Sequence, residues 1–137
     1  LDLYSRSVVG WAMAERMTRE LVMSALTMAI WRRRPEQGVV VHSDRGSQYA
    51  SEDYQALLEA NGFLGSMSRK GDCYDNAAME SFFHSLKVEQ VNDCRYRTRE
   101  EAKADVFEYI ETYYNTIRRH STLKYLSPRD FEIRMAA

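Results

Sequence analysis

Asp72–Lys87 reads DCYDNAAMESFFHSLK. Gly71 precedes it, and the stretch reads as a loop that turns into a helix. A short polar side chain accepts the orphan N–H groups of a first helical turn, and either Asp75 or Asn76 can take that role. Met79, Phe82, Phe83 and Leu86 recur at helical spacing, which predicts a core-facing side. Glu80, His84 and Lys87 stand at i, i+4 and i+7 and so share the opposite face. A carboxylate, an imidazole and an ammonium therefore follow one another along a single ridge. Taken alone, that ridge reads as a solvated helix face with an ordinary i,i+4 pair, because such pairs are common.

A second stretch changes the reading. Gly38–Ser43 is a short apolar run, GVVVHS, and Asp44 closes it ahead of Arg45-Gly46-Ser47. A buried strand ending in an acid and a glycine turn is where open α/β sheets place their chemistry. Strictly between Asp44 and Glu80 lie 35 residues.

HSDRGSQY, followed at that spacing by DNAAMESFFHSLK, resembles the last two acids of the D-D-35-E core of transposases and retroviral integrases. The wording is most similar to bacterial insertion-sequence transposases of the IS-three group. LDLYSRSVVGW at the start and YNTIRRHSTLKYLSP near the end match the same group, so the resemblance covers nearly the whole chain.

Length and composition agree with a folded domain. A chain of 137 residues, 45% hydrophobic and 12% aromatic, fits one domain with a real core and argues against disorder. No apolar run approaches the roughly 18 residues of a membrane span. No secretory leader is read, since Leu1 opens in the middle of a structured pattern. Cys73 and Cys94 make neither a disulfide framework nor a metal-knuckle spacing, and read as reduced thiols of a cytosolic protein. The net charge of −1 lacks the overall basic footprint of a DNA-binding domain. Basic residues do cluster locally, at Arg32–Arg34, Arg69-Lys70, Arg95 with Arg97, and Arg118–His120. Each cluster can hold phosphates or simply face solvent.

In chain order, Leu1–Tyr4 and Val8–Ala14 predict an antiparallel hairpin around a Ser5-Arg6-Ser7 turn. Gly10 marks a bulge or a close backbone contact, and Trp11 a core position. Thr18 caps a helix over 19–34 with Val22, Ala25, Leu26, Ala29 and Ile30 inward, ended by Pro35. Met17, Met23 and Met28 read as gap-filling core. Ser51 caps a helix over 52–61 that Gly62 stops, and 63–67 is a short strand. Thr98 and Glu101 form a capping box for a helix to about Asn115, with Ala102, Val106, Tyr109, Ile110 and Tyr113 inward. Ser127-Pro128 opens a last short helix. His42, on a buried strand, reads as a satisfied core histidine.

The resemblance implies an α/β fold: an RNase H-like mixed sheet with flanking helices. It places the family's first central strand, with its first catalytic aspartate, ahead of the LDLYSR strand and so outside these residues. Asp2 belongs to the second strand of the pattern and does not take that role. A chain without that neighbour would expose a strand edge, which predicts a homo-oligomer, a swapped arrangement or poor solubility. The implied chemistry is in-line phosphoryl transfer with two divalent ions, Mg²⁺ or Mn²⁺. Asp44 would hold one ion and Glu80 the other, while the bridging aspartate is the one outside. Two carboxylates alone would support at most one weak metal site.

The resemblance also puts His84 and Lys87 near the scissile phosphate, as backbone contacts with little sequence reading. Arg45, Gln48 and Asn76 flank the acids, where they orient them, touch DNA, or serve as local caps and turns. Arg69 and Lys70 lie in a loop, Ser68–Tyr74, expected to be mobile and either to clamp DNA or to be plain surface. Arg118, Arg119, His120 and Lys124 form a tail patch for DNA or a second subunit. The implied function is the core of a transposase that cuts and joins DNA, with transposon ends and target DNA as partners, in the bacterial cytoplasm at the nucleoid. A non-catalytic DNA-binding or assembly fragment is the alternative. An RNase H-type nuclease shares the fold but suits the 35-residue spacing less well.

Overall fold

Thr18 opens the first helix as its sequence predicts. The hydroxyl accepts the Leu21 N–H at 3.4 Å and starts α1 (Arg19–Arg33). Arg34 takes a left-handed conformation, φ 44°, and donates its N–H to the Ile30 carbonyl at 2.8 Å. Pro35 then bars continuation. The computed structural model in which these elements are seen describes residues 1–67 and 77–136. Within it the chain divides into two compact units, Val9–Ala77, and Leu1–Val8 with Ala78–Ala137.

In the first unit, β1 (Val40–Ser43) pairs in parallel with β2 (Leu64–Met67), Val40 opposite Leu64 and His42 opposite Ser66. Parallel partners need a crossover, and α2 (Glu52–Ala60) supplies it. Ser51 caps α2 by accepting the Tyr54 N–H at 3.3 Å, and Gly62, φ +68°, turns the chain into β2. Val22 of α1, Tyr54 and Leu58 of α2, and Phe63 form the buried cluster. Met23, Leu26, Ile30, Val41 and Tyr49 pack against it. The expected close approach at Gly10 is real. A Cβ there would lie 2.1 Å from the Ala25 carbonyl oxygen and 2.9 Å from the Ala29 Cβ, so only glycine lets this segment rest on α1.

In the second unit, α3 (Ala77–Leu86) runs on through a π-helical turn, Lys87–Val91. The Thr98 hydroxyl accepts the Glu101 N–H and opens α4 (Arg99–Glu108); Glu101 reaches back to the Arg97 N–H at 3.1 Å. A second π-helical turn, Tyr109–Tyr114, extends α4. The Ser127 hydroxyl accepts the Asp130 N–H and Pro128 begins α5 (Pro128–Ala136). Val8, Phe82, Val106, Tyr109, Ile110, Tyr114 and Leu123 are buried in this unit.

Several expectations are corrected. Neither Leu1–Tyr4 nor Val8–Ala14 is a strand. The Asn115 carboxamide takes up the Val8 N–H at 2.8 Å and gives its own N–H to the Val8 carbonyl at 3.0 Å, the bonds a strand neighbour would have made. Asp2 and Ser7 instead close a tight turn, Asp2 N–H to Ser7 carbonyl at 2.8 Å. The β1 strand is covered on one face only. Val41 turns toward the core, while Val40 and His42 are exposed, and the His42 Nδ1 lies 3.0 Å from the Ser66 hydroxyl.

Trp11 is half-buried and Met17 exposed. Phe82 is buried but its neighbour Phe83 is 46% exposed, because the two point about 100° apart around the helix. Past Glu108 the wider π turn holds an extra residue, so Tyr114 is buried and Tyr113 is left outside. The predicted caps Asp75 and Asn76, Cys73 and the Ser68–Tyr74 loop fall outside the described residues.

Gly10→Ala should destabilise the fold by about 3 kcal/mol, since backbone rather than a flexible side chain meets the new methyl. Urea unfolding checks this, and a loss below about 0.5 kcal/mol contradicts the packing.

Candidate functional site

Asp44 is the residue after β1. Its Oδ1 accepts the Gly46 N–H at 2.7 Å, a local turn that fixes the carboxylate at the strand's carboxyl end. A Cβ on Gly46 would lie 2.9 Å from that Oδ1 and 2.9 Å from the Gln48 Oε1. The glycine thus lets both side chains close over the turn. The Gly46 carbonyl accepts from Tyr49 and Ala50, and Ser51 donates to the Gln48 carbonyl. Tyr49 anchors the turn to the core, its ring 5.4 Å from that of Tyr54 in an edge-to-face contact. Burial raises the Tyr49 pKa, and the nearby Asp44 charge raises it further. Asp44 itself is exposed, and its Oδ2 has no partner among the described residues. Arg45 is exposed and Gln48 half-buried beside it.

Glu80, His84 and Lys87 are all exposed, as their spacing predicts, with Phe82 and Ser85 buried on the other side of α3. Glu80 makes no hydrogen bond or ion pair among the described residues. Its carboxylate stands on the exposed face of α3. Asp44 and Glu80 belong to different compact units, and each is a hard oxygen donor of the kind a divalent cation takes. Among the described residues no three His, Cys, Asp or Glu side chains gather as a metal-holding group. Arg69, Lys70 and Asn76 lie outside the described residues.

The tail differs most from its sequence reading. Arg118 donates its Nε–H to both oxygens of Glu89, at 2.7 and 2.8 Å, and its Cζ lies 5.7 Å from the centroid of the Tyr114 ring. The Tyr109 hydroxyl also reaches Glu89, at 3.2 Å. Asp105 accepts from Gln90 and from the Tyr96 hydroxyl. Glu89, Gln90, Asp105 and Tyr109 edge a cleft of about 370 Å³ that Glu108, Thr112, Tyr113 and Ile117 complete. Sequence reading missed Asn115, Glu89 and Asp105. No local signal links Glu89 to an arginine 29 residues later.

His120 is half-buried edge-on to Tyr114, with its Nε2 buried and unpartnered among the described residues. Burial, helped by the Arg118 and Arg6 charges, holds its pKa down to about 4, and Glu89 opposes this weakly. Arg119 and Lys124 remain exposed.

The Integrase core domain family matches residues 1–73, and a second family of that description matches residues 80–135. The chain belongs to the integrase core domain family. It is 55% identical over 132 residues to "Transposase InsF for insertion sequence IS3A" of Escherichia coli (strain K12), covering 96% of this chain and 46% of the relative. It is 52% identical over 132 residues to "Transposase for insertion sequence element IS904" of Lactococcus lactis subsp. lactis (strain IL1403), covering 96% of this chain and 52% of that protein. The chain thus spans about half the length of the curated relatives it matches. Among the described residues no helix is long and apolar enough to cross a membrane.

The His120 pKa has a consequence for stability. The unfolded chain takes up a proton on this imidazole near pH 6.5, and the folded one only near pH 4. Stability should therefore fall as pH drops from about 6.5 toward 4. Urea titrations at pH 7, 5.5 and 4.5 on the protein and on His120→Gln isolate the effect: the variant should show the flatter profile, and parallel profiles would exclude it.

Proposed function

We propose that the chain is the core of a DNA transposase, folded as an RNase H-like unit, whose parent protein cuts and joins DNA strands with divalent metal. The reading is carried by Asp44. It is a carboxylate at the open end of a parallel strand, with one oxygen held by the Gly46 N–H, in a chain of the integrase core family. Open α/β sheets place their chemistry at such strand ends.

In this reading Asp44 and Glu80 each give a carboxylate oxygen to metal, Mg²⁺ or Mn²⁺. Bound divalent ions would activate an attacking oxygen and stabilise a leaving one. The Gly46 N–H holds one Asp44 oxygen, so the second oxygen would be the one to take an ion. Helix α3 carries Glu80, with His84 and Lys87 along the same ridge, where they meet phosphates. Arg45 and Gln48 bracket Asp44, and Arg69, Lys70, Asn76 and Arg119 are further contacts to the DNA backbone. A chain of net charge −1 has to hold DNA through such local groups, so its binding should weaken steeply with salt. Transposon ends and target DNA are the proposed substrates. β1 and β2 pair only with each other among the described residues, and their open edges support self-association.

The test uses the full-length gene product on a precut DNA end with Mn²⁺ or Mg²⁺. It should join that end to target DNA, and Asp44→Asn or Glu80→Gln should each slow joining at least about a hundredfold while leaving binding in place. A protein that binds DNA, joins nothing, and is indifferent to both substitutions is a binding or assembly module instead.

A further inference from the structure

The YNTIRRHSTL segment looks like a basic tail waiting for DNA, yet Asn115 and Arg118 are engaged within the fold while Arg119 stays exposed. Asn115 holds both backbone groups of Val8, and its carbonyl accepts the Arg129 N–H at 2.9 Å. Three residues later Arg118 grips both oxygens of Glu89. Glu89 lies in the π-helical turn that begins at Lys87 and extends α3, the helix of Glu80 and His84. The pair is three-quarters sheltered, with side chains 25% and 28% exposed, and Glu89 also takes the Tyr109 hydroxyl. A second path leads to the same helix. Arg118 lies over Tyr114, and the Tyr114 ring meets Phe82 edge-on at 5.0 Å, in the turn between Glu80 and His84.

We propose that Arg118 is a positioning residue. Through Glu89, and through Tyr114 on Phe82, it fixes the rotation of α3 and so the direction in which Glu80, His84 and Lys87 face. The inference rests on the transposase reading for what that ridge does. Two physical points favour it over direct phosphate contact. The Nε–H is already given to a carboxylate, in a charge-assisted geometry stronger than an exposed pair. Swinging the guanidinium out to DNA would also strand Glu89 partly buried without its counter-charge, which is costly. The ion pair and the edge-to-face Tyr114–Phe82 contact both bear on α3 and the turn that extends it. A misplacement of about 1 Å at a reacting group costs up to a hundredfold in rate.

The experiment compares Arg118→Gln, Arg118→Lys, Glu89→Gln and the exchanged pair Glu89→Arg with Arg118→Glu in the full-length gene product, with Glu80→Gln as the reference for lost chemistry. Two quantities are read below every variant's unfolding midpoint: the strand-joining rate at saturating DNA, and the slope of log affinity against log salt on a short duplex. Positioning predicts that Arg118→Gln and Glu89→Gln each slow joining roughly tenfold or more. The salt slope should stay unchanged, Arg118→Lys should be intermediate, and the exchanged pair should recover most of the rate. The proposal is overturned if Arg118→Gln flattens the slope by about one, the mark of a lost phosphate contact. It is also overturned if either single variant joins at the full rate. Should the unmodified protein join nothing, the transposase reading fails, and the salt slope alone still decides whether Arg118 faces DNA or Glu89.

Discussion

The amide of one side chain stands where a strand neighbour would stand. Asn115 accepts from Val8 and donates to Val8, so the N-terminal segment is tied to a helix end 107 residues away. Each such bond is worth about 1 kcal/mol net, and an unmet buried N–H or carbonyl costs about 1–3 kcal/mol. Around this tie the remaining contacts fall into place. The Ser5 hydroxyl meets Glu132 at 2.6 Å, Tyr4 meets Phe131 edge-on, and Arg118 takes Glu89. The C-terminal segment thus packs within this unit, and one of its basic residues, Arg118, is taken up by Glu89.

Local chemistry was legible from the sequence. Thr18, Ser51, Thr98 and Ser127 all cap the helices assigned to them, because a cap depends on residues three positions apart and on little else. Gly10 and Gly62 were legible for the same reason, one a close approach and the other a positive φ. What failed was phase. A π-helical turn adds one residue without any sequence mark, so counting by 3.6 past Glu108 buried Tyr113 where the fold buries Tyr114. The expected hairpin failed because period-2 patterning reports a strand's faces, while pairing also needs a partner edge. Here the Asn115 amide supplied the partner.

The candidate site shows the same division. Asp44 with its glycine turn, and Glu80 with His84 and Lys87 on one exposed ridge, follow from short spacings and stand as read. The pairing of Arg118 with Glu89 was not legible, because the two lie 29 residues apart and no periodicity announces it. Arg118, which looked free in the sequence, is paired with Glu89 in the turn that extends α3.

The central claim is that Asp44 and Glu80 each ligate a divalent ion. Iron-mediated cleavage tests this directly. Fe²⁺ replaces Mg²⁺ in the full-length gene product, ascorbate and peroxide generate radicals at the ion, and the peptide cuts are mapped. The account predicts cuts beside Asp44 and beside Glu80, all suppressed by excess Mg²⁺, with those beside Asp44 lost in Asp44→Asn and those beside Glu80 lost in Glu80→Gln. Cuts at only one of the two, or cuts that survive both substitutions, would contradict it.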